Sequence, residues 1–216
     1  MNYKAFLFDL NGTMVNDMPY HVKAWHRILN ELGADISMEQ MKLECYGKNH
    51  ELLERIFPGR FTLEEKNHMS FEKEKQYQKE FKPRLQLIKG LDRFLQQSYD
   101  AGIKMAIGSA AIMFNIDFVL DELKIRNYFD ILVSADNVTD SKPKPETWLQ
   151  CAEKLSVSPN ECVVFEDSIK GVESAMNAGM DCVVITTMHA KEEFSEYTNI
   201  VSFIDDYNSP VLYQLV

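Results

Sequence analysis

The sequence is poor in the features that mark exported, membrane-bound or nucleic-acid-binding chains. No apolar run approaches the length that spans a bilayer, so a membrane partner is not expected. The N-terminus lacks a basic segment followed by a long apolar core, and no export signal is expected. Cysteine is sparse: Cys45, Cys151, Cys162 and Cys182 are scattered without a C-x-x-C pair. That excludes the usual thiolate metal spacings and reads as buried free thiols in a reducing compartment, hence a cytoplasmic protein. Positive charge is in deficit. Against 33 Asp and Glu stand 23 Lys and Arg, a net charge of −10 that disfavours nucleic acid as a partner. An anionic small substrate stays open, because a metal ion can invert the local field of a site. Internal repeats and low-complexity segments are absent too. What is present is ordinary for a globular chain. Its 216 residues, 45% hydrophobic and 26% charged, suffice for one core plus a smaller inserted unit.

The most informative stretch lies near the start. An apolar run, Ala5 to Phe8, ends abruptly in Asp9, with Gly12 and Thr13 close behind. A short apolar run bounded by turn residues predicts a buried parallel strand. A carboxylate at its end would sit in the crevice where open α/β sheets bind ligands. Taken alone, the same residues also fit a strand followed by a capping Asp.

Further along, Val22, Trp25, Ile28, Leu29 and Leu32 recur at spacings of three and four after Pro19, and Gly33 closes that helix. Helical pattern continues from Met38 to Cys45, breaks at Gly47, Lys48 and Asn49, and resumes from Glu51 to Phe57. Thr62 and Glu65 have the spacing of a capping box and open a long, heavily charged helix to about Phe81. Trp25 reads as packing inside this helical block. From Leu87 onward apolar runs alternate with helices. Strands are expected at Lys104 to Ser109, Phe129 to Ser134, Cys162 to Phe165, Asp181 to Thr186 and Ile200 to Ile204. Helices are expected at Leu91 to Tyr99, Ile112 to Leu123, Glu146 to Leu155 and Val172 to Ala178. Met105, Met113, Met176 and Met180 read as core filler. The alternation predicts an α/β fold with a doubly wound, Rossmann-like parallel sheet. Residues 1–14 and 85–216 would form that core and residues 15–84 an inserted all-helical domain.

Under this topology Asp9, Ser109, Lys142 and the Glu166-Asp167 pair emerge on one edge of the sheet. Each has a plain explanation singly, as a cap, a solvated cation or a turn. Together they put three acids, one cation and one hydroxyl in one crevice. Carboxylates that close cannot all stay ionised without a cation among them. A hard ion such as Mg²⁺, shared with a phosphate, suits such oxygen ligands.

These residues resemble the four motifs of the haloacid dehalogenase superfamily: Asp9-Leu10-Asn11-Gly12-Thr13, Ser109, Lys142-Pro143, and Glu166-Asp167-Ser168-Ile169-Lys170-Gly171. The last extends through Ala175 to Ala178-Gly179-Met180 and is the most specific. Tyr20-His21, Trp25, Tyr46-Gly47-Lys48 and the Ser-Lys-Pro of the third motif resemble the β-phosphoglucomutase-like subgroup, with its helical C1-type cap. The resemblance implies a phosphatase forming an aspartyl-phosphate on Asp9. It implies Mg²⁺ on Asp9, the backbone carbonyl of Asn11 and Asp167, with Glu166 as ligand or support. Lys142, Ser109 and the backbone at Ala110 would bind phosphate. His21, Trp25, Gly47, Lys48, Asn49 and His50 would face the substrate from a closing cap. The implied partner is a small phosphorylated metabolite, whether sugar phosphate, acyl phosphate or phosphoanhydride, and the implied state a monomer.

One position departs from the family pattern at the centre of the chemistry. Its phosphatases and mutases carry a second Asp two residues after the nucleophile, and here it is Asn11. A carboxamide cannot exchange a proton. Three readings follow: a phosphatase limited to good leaving groups, a proton supplied by His21, Asp17 or His50, or a domain that binds metal and phosphorylated ligand with little turnover. Against a mutase, His50 stands where the cap loop carries Arg, and Ile112-Met113 replaces a Lys-Asn pair, although Lys48 remains. Carbon–halogen or carbon–phosphorus cleavage on the same scaffold suits a Lys in the third motif less well.

Overall fold

The computed structural model describes residues 3–216. The chain divides into two compact units, one formed by the segment ending at Asn16 together with Gln86–Val216, the other by Asp17–Leu85. Among the described residues no helix is long and apolar enough to cross a membrane.

The larger unit is built on a six-stranded, all-parallel sheet: β1 Ala5–Phe8, β2 Lys104–Gly108, β3 Ile131–Val133, β4 Cys162–Glu166, β5 Asp181–Ile185 and β6 Ile200–Ile204. Their order is β3-β2-β1-β4-β5-β6, so the chain runs outward one way from β1 and then resumes beside it at β4. The switch point of a doubly wound sheet lies between those two strands. Every residue of β1 is fully buried, which explains its unbroken apolar run. Phe8 is level with Ile107 of β2 and Phe165 of β4, and the Asp9 amide continues the ladder by donating to the Phe165 carbonyl at 3.0 Å.

Alternation along β1 sends Phe6 and Phe8 to one face of the sheet and Ala5 and Leu7 to the other. On the first face Phe8 stacks on Phe165 with centroids 4.6 Å apart, and Phe6 stacks on Phe94 at 5.5 Å. Phe94 belongs to α5 (Leu91–Asp100), and Tyr207 completes this aromatic layer. Each such ring contributes on the order of 2–3 kcal/mol by leaving water, before conformational entropy is subtracted. On the second face α7 (Glu146–Leu155) and α8 (Ile169–Asn177) cover the sheet through Trp148, Cys151, Leu155, Val172 and Ala175.

Some boundaries differ from the sequence reading. Helix α8 opens at Ile169 rather than Val172, because the Ser168 hydroxyl accepts the Gly171 amide at 3.0 Å and caps the helix. Strand β3 is shorter than Phe129 to Ser134. Phe129 ends a short turn and meets Phe8 edge-on, while the Ser134 hydroxyl accepts the Asp136 amide at 3.1 Å. In α6 (Met113–Glu122) Met113 is only half-buried, and Met176 on α8 is exposed, so these two are not core filler as Met105 and Met180 are. Cys45 is likewise only half-buried, whereas Cys151, Cys162 and Cys182 are buried free thiols.

The smaller unit contains four helices: α1 Met18–Glu31, α2 Met38–Glu44, α3 Asn49–Ile56 and α4 Leu63–Phe81. Thr62 and Glu65 close a reciprocal capping box at the start of α4, at 3.2 and 2.8 Å. Helix α3 begins two residues before the expected Glu51. The Glu51 carboxylate accepts the Lys48 amide at 2.9 Å, which draws Asn49 and His50 into the first turn.

Candidate active site

The carboxyl ends of β1 and β4, side by side at the switch point, bring Asp9 and Glu166-Asp167 together. Lys142 reaches the same place: its ammonium donates to Asp9 Oδ1 at 2.7 Å, to Glu166 Oε1 at 2.7 Å and to the Gly108 carbonyl at 3.1 Å. All four side chains are buried. The Trp148 ring lies 4.2 Å from the Lys142 nitrogen and supports the cation through its π face. Burial alone would drive the Lys142 proton off, but the Asp9 and Glu166 charges and their hydrogen bonds outweigh it and raise the pKa.

Glu166 has little capacity left. Its Oε1 meets Lys142, and its Oε2 accepts the Asp167 amide, the Ser168 amide and the Ser168 hydroxyl at 2.9, 2.9 and 3.0 Å. Asp167 differs: Thr13 Oγ1 donates to its Oδ1 at 3.2 Å, and its pKa is pushed well up by burial and then by the Glu166 and Asp9 charges. Two glycines make room for the acids. A Cβ on Gly171 would stand 1.8 Å from Glu166 Oε1, and one on Gly12, at φ +78°, 1.9 Å from Asp167 Oδ2.

The acids fit a hard divalent cation. Asp9, Glu166 and Asp167 each offer a carboxylate oxygen within 4.8 Å of the others. Lys142 donates to Asp9 and Glu166, and with all three acids ionised its one positive charge against three carboxylates leaves the set two charges short of balance, with oxygen as every donor.

Ser109 is buried where β2 ends. Its amide donates to the Val133 carbonyl at 2.9 Å and its hydroxyl accepts the Ala111 amide at 3.2 Å. It does not cap α6, which starts at Met113, so residues 109–112, Ala110 included, form a loop at the same sheet edge.

In the helical unit the structure gathers a second polar cluster, buried and internally paired. His21 Nδ1 lies 2.6 Å from the Lys73 ammonium, and its ring stacks on Tyr77 at 4.0 Å. Asp17 accepts from the Tyr77 hydroxyl and lies 3.5 Å from His21 Nε2. Glu74 accepts from Lys73 at 2.9 Å and from Asn49 at 2.6 Å, and the Lys73 nitrogen sits 5.4 Å from the Trp25 ring centroid. Lys48 is buried, Gly47 and His50 are half-buried, and burial lowers the His50 pKa. Lys73, Glu74 and Tyr77 carry no sequence signal, because α4 is so densely charged that its buried positions look solvated.

Burial favours the neutral form of Glu74. The Lys73 and His21 charges and the hydrogen bonds from Lys73 and Asn49 overcome this and hold the carboxyl at about 2, against 4.5 normally. A folded-state pKa below the unfolded one gives stability that is full above pH 4.5 and lost as pH falls toward 2. Denaturant titrations over that window should show the stability gap between the native protein and Glu74→Gln narrowing by about 3 kcal/mol.

Residues 6–185 match the family of haloacid dehalogenase-like hydrolases. The chain is 29% identical over 181 residues to fructose-1-phosphate phosphatase YqaB of Escherichia coli, covering 84% of this chain and 95% of that protein. It is 30% identical over 188 residues to β-phosphoglucomutase of Bacillus subtilis, covering 83% and 82%. The solved structure of β-phosphoglucomutase from Clostridium difficile superposes with a TM-score of 0.85 at 27% identity, over 98% of this chain and 96% of that one. With the acids and lysine gathered at the switch point of such a sheet, the chain belongs to the haloacid dehalogenase-like hydrolases, in their β-phosphoglucomutase-like group.

Proposed function

We propose that the protein is a Mg²⁺-dependent phosphohydrolase that cleaves a small sugar phosphate through an aspartyl-phosphate on Asp9. The observation that carries this reading is the buried meeting of Asp9, Glu166, Asp167 and Lys142 at one sheet edge. In this reading an Asp9 carboxylate oxygen attacks phosphorus and the bond from phosphorus to the substrate oxygen breaks. Water then attacks the phosphorus of the aspartyl-phosphate, releasing inorganic phosphate and restoring the carboxylate. Lys142 pairs with Asp9 and aims it, while Ser109 and the backbone at Ala110 receive phosphoryl oxygens. Asp9, the Asn11 carbonyl and Asp167 would hold the metal, and Glu166, its oxygens already engaged, would fix Lys142 and the Asp167 loop. Bound there, Mg²⁺ supplies the positive charge that lets one anion approach another.

The substrate class follows the named activities of the relatives, a fructose-1-phosphate phosphatase and a β-phosphoglucomutase. Phosphatase is preferred to mutase because His50, Ile112 and Met113 replace the polar and cationic residues that a bisphosphate intermediate would need. A reducing, cytoplasmic setting suits the four free thiols. A panel of sugar phosphates, acyl phosphates and pyrophosphate, assayed with Mg²⁺ and with EDTA, tests the reading. Metal-dependent phosphate release on at least one class is expected, and its absence across the panel overturns it.

Asn11 favours a second reading, a domain that binds metal and phosphorylated ligand with little turnover. Under it the panel gives ligand-dependent thermal stabilisation without product.

A further inference from the structure

The loop after β1 is held by groups outside the four motifs. Two of its successive carbonyls are taken by hydroxyls from the far side of the sheet. Thr187 Oγ1 donates to the Gly12 carbonyl at 2.6 Å, and Tyr207 Oη donates to the Thr13 carbonyl at 3.0 Å. Both donors are themselves anchored. Thr187 follows β5, its amide bonded to the Ile185 carbonyl at 2.9 Å, and the neighbouring Thr186 amide reaches the Ile204 carbonyl at 2.9 Å. Tyr207 is buried, with its amide on the Lys89 carbonyl at 2.9 Å.

Thr187 also lies 3.5 Å from Asp167 Oδ2. A hydroxyl has one proton, and the shorter contact takes it, so Thr187 binds the loop and touches the acid. Because β4 lies between β1 and β5, the Asp167 turn is bracketed by Gly12 on one side and Thr187 on the other. Gly12 leaves no slack there, since even a methyl group would meet Asp167 at 1.9 Å.

We infer that Thr187 is a positioning residue for metal binding, fixing the Asn11–Gly12 loop against Asp167 so that their oxygens keep a set separation. This rests on the reading that Asp9, the Asn11 carbonyl and Asp167 hold Mg²⁺. That ion demands near-octahedral geometry at short distances, so a loop free to shift by a fraction of an ångström loses affinity. Supporting residues of this kind typically change metal affinity by 10–100-fold.

The test is calorimetric titration of Mg²⁺ into the full-length chain without substrate. Thr187→Val keeps the shape and removes the donor. It should weaken Mg²⁺ binding by roughly 10-fold or more, while Thr187→Ser retains native affinity. Turnover of Thr187→Val should recover at high Mg²⁺ with the substrate KM unchanged, which a general loss of packing would not produce. Thr187 is half-buried, and Thr187→Ala is read the same way if the valine variant does not fold. A Thr187→Val affinity within about twofold of native overturns the inference. Asp167→Asn separates the two levels of argument. If it abolishes Mg²⁺ binding while Thr187→Val leaves it intact, the metal reading stands and the positioning role falls. If the native chain does not bind Mg²⁺, or if Asp167→Asn binds it as tightly as the native chain, both fall.

Discussion

Replacing Asn11 with aspartate should raise kcat for an unactivated sugar phosphate by ~10²-fold or more, the low end of what general acid–base catalysis contributes. A sugar alkoxide is a poor leaving group and must take up a proton as the phosphorus–oxygen bond breaks. The Asn11 side chain can donate a hydrogen bond but cannot deliver the proton. The backbone carbonyl assigned to the metal is untouched by the substitution, and Asn11 is only half-buried, so the change is one of chemistry rather than fold. Acyl phosphates leave without protonation, so their turnover should rise far less. Parallel kcat measurements on a sugar phosphate and an acyl phosphate, native against variant, give the required ratio. A gain from a measurable native rate identifies a slow phosphatase; a gain from near zero identifies the ligand-binding domain. A ratio that does not change shows that another group already supplies the proton.

Asp9→Asn should abolish turnover, with a loss on the order of 10⁴-fold or more, as expected when a covalent nucleophile is removed. The fold should survive. Lys142 would lose one of its two carboxylate partners but keep Glu166 at 2.7 Å, so its buried charge stays paired. Thermal denaturation should therefore show a modest shift beside a rate lost almost entirely. Acid-quenched native protein mixed with an acyl phosphate should carry covalent phosphate by mass spectrometry, and the variant none. Equal labelling of the variant would remove Asp9 from the role.

Much of the sheet could be read from the chain. β1, β4 and β5 each occupy an apolar run bounded by turn residues or acids, and burial on both faces is what makes such runs unbroken. Asp9, Ser109, Lys142, Glu166 and Asp167 could be nominated because a parallel sheet places consecutive strand ends on one edge. Supporting groups were not legible in the same way. Thr187 and Tyr207 act through hydroxyls on backbone carbonyls far away in sequence, and a lone Thr or Tyr gives no spacing signal. Trp148 gives no sequence signal as a partner of Lys142, because that contact depends on Gly108, in a distant strand, letting the ring approach. A helix start is hidden from sequence where a side chain, Ser168 or Glu51, caps the backbone ahead of the apolar pattern.

The stacked pair Phe8 and Phe165 has a consequence for judging preparations of this protein. Each ring immediately precedes an acid of the cluster, so the ladder that seats the rings also sets the level of Asp9 against Glu166. Slipping β1 by one residue along β4 would turn Asp9 to the opposite face and shift it by ~3.3 Å. A chain misassembled in that way would keep its helix content and much of its burial yet lose the site. If Asp9 and Asp167 hold Mg²⁺ as proposed, metal affinity, rather than far-ultraviolet dichroism, is the sensitive gauge of correctly paired strands.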